Sequence, residues 1–357
     1  MVENIWSLLG GNFSNMPLLS ICIPTYNRAG ILKNTLEALV AEEVFHDGED
    51  IEITISDNAS TDETPEIAKD FAGRFPGKIV YFRQKQAVDP HFNFKNSLDI
   101  GTGRWLKLHT DTAMPEKGKL SALLEQHRRA ESVNAGVLIA NEAFPKKGSD
   151  GFRCYKTPDE LLGNVSIILA NIALYSFRSD LYRAISDPFR YYQLYFPHID
   201  LAFRLMLAGH PAAVSDDKYY IFQPKKYHKR NEALIFDGGY LKLLEEYLAI
   251  GAITPERYRF EKKNALLLQI IPLYFDFHRK FNDEECPGLR VFWRSTPRYH
   301  REWYFYAMIP YICFYLFLCK LPVPKVVHRL IREIYLLFHR NAPEVSQIRQ
   351  REIDEQK

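Results

Sequence analysis

Two short apolar runs near the start of the chain each break into small polar residues. Leu19-Ser20-Ile21-Cys22-Ile23 leads into Pro24-Thr25-Tyr26-Asn27-Arg28, and Ile51-Glu52-Ile53-Thr54-Ile55 leads into Ser56-Asp57-Asn58-Ala59-Ser60-Thr61-Asp62. β-Branched runs that end in turn formers predict buried parallel strands that deliver their polar ends to one edge of a sheet. Between them Ile31, Leu32, Leu36, Leu39 and Val40 recur at helical spacing, so the unit predicts β-α-β with a right-handed crossover. Further strands are expected at residues 78–82, 105–108, 136–140 and 219–222, with a helix over 92–100 before the Gly101-Thr102-Gly103 turn. The charged stretch 145–159, rich in Lys, Gly and Asp, reads as a mobile loop. From about residue 240 the texture changes to long helical patterns, 241–250 and 261–281, without strand signals. A domain boundary is expected there.

Composition narrows the class. A chain of 357 residues can bury a full α/β core with an appendage. With 46 Lys and Arg against 44 Asp and Glu, it lacks the basic excess of a nucleic-acid binder, so no nucleic-acid partner is expected. Cys22, Cys154, Cys286, Cys313 and Cys319 are odd in number and form no CxxC pair, which predicts reduced thiols of a cytosolic protein. The first residues show neither a basic segment nor a sustained apolar one, so export is not expected.

Ligands of parallel sheets bind beyond the C-terminal ends of the strands. Asp57 would stand there, a short carboxylate beside Asn58 and Ser60 on a loop able to close over a base or ribose. The strand at 105–108 ends in His109-Thr110-Asp111-Thr112, where Asp111 is either a turn cap or a ligand. His109 reads more simply as a hydrogen-bonded structural residue. In Pro197-His198-Ile199-Asp200-Leu201 the acid begins a helix, as a cap or as a carboxylate kept ionised by the macrodipole. Lys95 could meet a phosphate or lie on a solvated helix face.

These segments carry a family resemblance. IPTYNR, followed about thirty residues later by ISDNASTDET, resembles the nucleotide-binding half of the inverting family 2 glycosyltransferases. VDPHFNFKNSLDIGTGRWLKLHTDTAMPEK and HIDLAFRLMLAGH follow in the family's order, so the resemblance spans residues 18–215. It implies the GT-A fold, an α/β, Rossmann-like and mainly parallel sheet flanked by helices. It also implies a donor nucleotide site at Pro24, Thr25, Tyr26, Asn27, Arg28, Asp57, Asn58, Asn93 and Thr110. Asn93 lies in a segment similar to the Gly-Pro-x-x-Asn-Phe motif of a subgroup of bacterial polysaccharide transferases. Asp57 would accept from the imide N–H of the base, which favours UDP or dTDP donors and leaves guanine and cytosine open. The family's acidic motif holds Mg²⁺ or Mn²⁺ against the donor diphosphate; here Asp111 takes its second acid and Thr110 its first, so the motif is incomplete. His228, in a basic run after the strand at 219–222, could reach the metal or the diphosphate. Asp200 takes the position of the catalytic base, with Ile199 replacing the Glu of the family's usual Glu-Asp. The Gln-x-x-Arg-Trp signature of processive synthases is not found, which favours transfer of a single sugar. Resemblance to O-antigen and capsule transferases implies a lipid-linked glycan acceptor, carried on a polyprenyl diphosphate, in a bacterium.

The C-terminal quarter bears on where that acceptor is met. Trp303–Cys319 is seventeen residues without a charge, eight of them aromatic and interrupted by Pro310. A spanning helix needs about 20 apolar residues, whereas Tyr and Trp in this density suit the headgroup boundary. Val323, Val326, Val327, Leu330, Ile331, Ile334, Tyr335 and Phe338 then define one helix face, with Lys325, Arg329, Arg332 and Arg340 off it. Such a helix resembles an interfacial anchor for an anionic membrane surface, or else belongs to a buried hairpin. The expected organisation is an N-terminal extension (1–17), a GT-A catalytic domain (18–240), a helical extension (241–300), membrane-associating helices (301–340) and a polar tail (341–357). The expected location is the cytoplasmic face of the inner or plasma membrane, peripheral or monotopic. Two rivals are a non-catalytic membrane-bound scaffold, supported by Thr110 and Ile199 in place of acids, and a nucleotidyltransferase. The second would carry a Gly-rich basic loop after the first strand, and PTYNRAG is poor in both.

Overall fold

A computed structural model of the chain describes residues 16–48, 50–140, 151–223, 231, 233–272 and 289–319. The chain divides into two compact units. The first comprises Met1–Leu161, Asn171–Tyr192 and Pro197–Lys225; the second comprises Leu162–Ala170, Gln193–Phe196 and Lys226–Lys357. The change of texture in the sequence places a boundary near residue 240. The second unit begins earlier and draws in 162–170, where Ser166 bonds Glu261 and Gly163 abuts Arg257.

The first unit contains strands β1 (Leu19–Thr25), β2 (Ile51–Asp57), β3 (Ile79–Arg83), β4 (Trp105–Leu108), β5 (Ala113–Pro115), β6 (Val137–Ala140), β7 (Phe152–Tyr155), β8 (Tyr175–Arg178), β9 (Ala212–Ser215) and β10 (Tyr220–Phe222). Its main helices are α1 (Ala29–Val40), α2 (Thr64–Arg74), α3 (Pro90–Asp99), α4 (Lys119–Ser132) and α5 (Pro197–Leu207). Eight strands form one sheet in the order β3-β2-β1-β4-β8-β6-β9-β7, while β5 and β10 pair separately. β1 is parallel to both β2 and β4, in a register that sets Thr25 beside Asp57 and Cys22 beside Leu108. β8 runs antiparallel to β4 and β6, and β7 antiparallel to β9. The mainly parallel α/β sheet flanked by helices is therefore present, with two reversed strands. Every residue of β1 and β2 is buried, as their continuous apolar runs require.

The expected mobile loop at 145–159 is corrected for the residues that are described. Phe152–Tyr155 pairs with β9, and Pro158–Val165 is helical. Burial explains the strand, because Phe152 packs on the core and Arg129 lies 4.3 Å above its ring. Residues 145–150 lie outside the described residues.

At the N-terminal edge of the sheet the buried Glu52 gathers the Ser20 hydroxyl, the Thr102 N–H and hydroxyl, and the Gly103 N–H. That carboxylate fixes the turn before β4.

In the second unit the described residues form helices and no strand. α6 (Lys242–Ala249) follows a wide π-helical stretch at Leu234–Leu241, and α7 (Pro255–Asn264) runs into another at Ala265–Ile270. Arg298 bonds Asp237 and forks onto Glu245, while Tyr240 and Ser166 meet at the buried Glu261. The last helix among its described residues is α8 (Trp303–Cys319).

Candidate functional site

The site grows from the C-terminal ends of β2, β1 and β4, which lie side by side. Asn27 adopts a left-handed φ of 51°, which an Asn tolerates well. This turn sends its backbone N–H to Ser60 Oγ (2.9 Å) and lets its side-chain oxygen accept from Thr61 N–H (2.7 Å). Asp62 accepts from the backbone N–H of Ala29 (3.0 Å) and from the Thr64 hydroxyl (2.6 Å). Burial works against its ionised form, but these hydrogen bonds outweigh it and hold the carboxyl below its ordinary range. The loops after β1 and β2 are thus stitched into one rim.

Asp57 ends β2 and is fully buried. Its Oδ1 accepts from Ser60 N–H (2.8 Å), and its Oδ2 accepts from the Tyr81 hydroxyl (2.9 Å) with Arg83 Nε at 3.4 Å. Burial first, and then the bond to Asp57, push the Tyr81 phenol well above its ordinary range, so it remains a donor. Asn58 spends both ends of its amide on Val88, with Nδ2 to the carbonyl (2.9 Å) and Oδ1 from the N–H (2.8 Å). Asn93 accepts from Ser56 Oγ (2.8 Å) and donates to the Ser56 carbonyl (3.0 Å) and the Thr25 carbonyl (3.4 Å). These two amides frame the site. Pro24 lies within β1, and Tyr26 stands on the rim with 48% of its surface exposed.

Asp111 joins the end of β4 to the end of β1. Its Oδ1 receives Arg28 Nη1 at 2.7 Å, its Oδ2 receives the Thr25 hydroxyl at 3.1 Å, and its carbonyl receives the Thr35 hydroxyl at 2.6 Å. Gln223 supports this arrangement from behind, donating to Thr35 Oγ1 (2.8 Å) and to the Ile31 carbonyl (3.0 Å). The Thr110 hydroxyl pairs with that of Thr112 at 3.1 Å. His109 is buried, bonded through Nε2 to the Ala113 carbonyl at 2.8 Å and edge-on to Tyr220. Burial, helped by the charge of Lys107, pushes its pKa down to about 3, so it is a neutral structural group. Lys95 bonds Asp99 at 2.6 Å, one helical turn away on an exposed face of α3.

Asp200 lies in the first turn of α5 and is fully buried. Arg190 grips it with a fork: Nη2 to Oδ1 at 2.8 Å and Nε to Oδ2 at 3.1 Å. Arg204, one turn later, stands 3.6 Å from Oδ2. The structure thus gathers Thr25, Asn27, Arg28, Asp57 and Asp111 at one strand edge, and gives Asp200 its own cationic clasp. Sequence reasoning missed Arg190, Tyr81, Arg83, Thr35 and Gln223. Tyr81 and Arg83 had a signal, since alternate residues of a predicted strand share a face; the other three are brought in by tertiary packing alone.

Asp111 supplies a single carboxylate, and among the described residues no three His, Cys, Asp or Glu side chains converge. Mg²⁺ is commonly held by one or two carboxylates together with substrate phosphates and waters. The residues therefore fit a cation shared with a bound diphosphate, not one caged by protein. His228 lies outside the described residues.

Residues 20–180 match the model of the family described as glycosyl transferase family 2. The abequosyltransferase RfbV of Salmonella typhimurium is 41% identical over 86 residues, covering 24% of this chain and 25% of that protein. The GalNAc(5)-diNAcBac-PP-undecaprenol beta-1,3-glucosyltransferase of Campylobacter jejuni is 30% identical over 138 residues, covering 38% of this chain and 43% of that protein. The matches thus span a quarter to less than half of these relatives' own lengths. The mannosyltransferase PcManGT from Pyrobaculum calidifontis, solved with GDP-Man and Mn²⁺, is similar over 86% of this chain and 87% of its own, with a TM-score of 0.51 at 13% identity. That likeness is one of fold.

Proposed function

Through residues 20–180 the chain is a family 2 glycosyltransferase of GT-A fold, and on that premise we propose that it moves one sugar, with inversion, from a nucleoside diphosphate-sugar to a hydroxyl of a lipid-linked glycan in bacterial surface polysaccharide synthesis. The observation that carries this reading is the convergence of Thr25, Arg28, Asp57 and Asp111 at the ends of three adjacent parallel strands.

Asp57 accepts the imide N–H of the base. A carboxylate offers about four lone-pair sites, so Ser60 and Tyr81 leave it capacity for a further donor. Arg28 offers a planar guanidinium to the diphosphate. When bound, Mg²⁺ or Mn²⁺ supplies charge neutralisation on the leaving diphosphate, and Asp111 is the residue that would hold it. The acceptor oxygen forms its bond to the anomeric carbon as the bond to the diphosphate oxygen breaks on the opposite face. The hydroxyl proton passes to Asp200, which Arg190 and Arg204 orient. Recognition of a lipid-linked acceptor is supported by the aromatic helix α8, on which Trp303, Tyr306 and Phe314 are exposed, and by the undecaprenol in the name of the Campylobacter relative. Such a protein would work peripherally at the cytoplasmic face of the membrane.

The test is thermal shift of the full chain with UDP, dTDP, GDP and CDP, with and without Mn²⁺, because a ligand of the folded state raises stability by mass action. Stabilisation by UDP or dTDP is expected. Failure of all four nucleotides to stabilise the protein would remove the donor reading.

A further inference from the structure

The Arg28–Asp111 pair occupies the place where a cation and a diphosphate would meet. Asp111 is almost wholly buried, with 3% of its side chain exposed, whereas Arg28 retains 29%. Thr25 takes the second carboxylate oxygen, and Thr35 holds the carbonyl of the same residue. The backbone of Arg28 is tied by its N–H to Thr64 Oγ1 at 3.3 Å, just before α1. The long side chain is therefore the part able to move. Thr110, where a second acid would add negative charge, turns its hydroxyl to Thr112. One buried carboxylate thus faces one guanidinium, and their charges cancel.

We propose that Arg28 is a resident counter-cation on Asp111 that the donor's diphosphate lifts off, so that a divalent cation enters this site only together with the nucleotide. The inference rests on the nucleotide-sugar reading for its second half, not for its first. A bare dication would have to displace the guanidinium and leave it without a partner beside a like charge, which opposes entry. A diphosphate reverses that balance. Its oxygens give the guanidinium a new bidentate partner and give the cation the oxygen ligands that Asp111 alone does not supply.

The experiment titrates Mn²⁺ into the full chain, following free Mn²⁺ by electron paramagnetic resonance, with and without UDP. Arg28→Gln is expected to bind Mn²⁺ without nucleotide at least about tenfold more tightly than wild type. Adding Asp111→Asn to that variant should abolish the gain. Arg28→Lys keeps a positive charge and should still exclude the ion; it also controls for folding. Arg28→Gln should in addition weaken UDP in chelator more than it weakens uridine. Equal Mn²⁺ affinity in wild type and Arg28→Gln overturns the proposal. So does a gain that survives Asp111→Asn, or wild-type protein that binds Mn²⁺ alone as tightly as with UDP. If no nucleoside diphosphate binds wild type, the donor reading fails, and the nucleotide-free comparison still decides whether Arg28 guards Asp111.

Discussion

Asp57 and Asp200 are both buried acids, yet their surroundings assign them different work. Asp57 is held by neutral donors, the Ser60 N–H and the Tyr81 hydroxyl, with Arg83 farther off at 3.4 Å. Asp57→Asn should weaken UDP binding at least about tenfold, since an amide N–H turned toward the base opposes its imide N–H. The variant should also lose about 1–3 kcal/mol of stability through its partners. Calorimetric titration beside thermal unfolding separates the two effects, and unchanged UDP affinity would remove the base-reading role. Asp200 instead sits in the fork of Arg190. Asp200→Asn is expected to bind UDP normally and to transfer sugar about 10²–10⁴-fold more slowly, the usual range for a general base. Near wild-type turnover in a radiolabelled transfer assay would assign the base elsewhere. At this scale the sequence exposed the acids but not their partners. Asp57 and Asp111 end apolar runs and are legible there, while Arg190 and Gln223 reach the site only through tertiary packing. Asn58 and Asn93 show the converse, because their places in a motif suggest ligand contact, whereas the Asn58 amide bonds the Val88 backbone and the Asn93 amide bonds the Ser56 hydroxyl and backbone carbonyls.

Among the elements, β-branched or Leu-rich apolar runs made β1, β2, β4 and β6 readable, whereas β5, β7, β8 and β9 were not recognised. Those four strands are as short as β4 and β6, but Ala-Met-Pro, Phe-Arg-Cys-Tyr, Tyr-Ser-Phe-Arg and Ala-Ala-Val-Ser lack the Val, Ile or Leu pairs that mark β4 and β6. The turn into β4 carries its own requirement. A Cβ on Gly103 would lie 2.8 Å from Ser20 N and 3.0 Å from the Leu19 carbonyl carbon, both backbone atoms of β1. Gly103→Ala should therefore cost about 1–3 kcal/mol, read as a lower denaturation midpoint with an unchanged slope. β4 also sits among two buried imidazoles. Burial is the main cause that lowers His109 and His127 to about 3, with Lys107 adding to it in both. An unfolded His titrates near 6.5. Below that pH the unfolded chain takes up protons that the native state refuses, so stability present above about pH 6.5 falls as the pH drops toward 3. Between pH 6.5 and 5 the loss is about 2 kcal/mol per His. Urea unfolding of wild type and His127→Gln across this range checks it, since the variant should show a shallower decline.

For the molecule as a whole, the question is which part meets a membrane. A truncation has to spare α8, because Phe305 is buried and stacks on Phe292 and Tyr299, Ile312 is buried, and Glu302 pairs with Lys262. Among the described residues no helix is long and apolar enough to cross a bilayer. The seventeen described residues of α8 reach about 25 Å at 1.5 Å per residue, against a hydrocarbon core about 30 Å thick. Its outer surface nevertheless carries Trp303, Tyr306 and Phe314, with Trp303 76% exposed. Aromatic rings with a polar edge favour the headgroup boundary. The basic helix expected over 323–340 lies outside the described residues, so its part is tested by removing 320–357. That truncation should keep the unfolding temperature and the nucleotide response while losing the salt-sensitive share of binding to anionic vesicles, about 1 kcal/mol per basic residue near the surface. Trp303→Ser with Phe314→Ser should remove the remaining, salt-insensitive share. Flotation with neutral and anionic vesicles at low and high salt reads both. A truncated double variant that still floats would place the membrane contact elsewhere, and one that unfolds would make α8 part of the core.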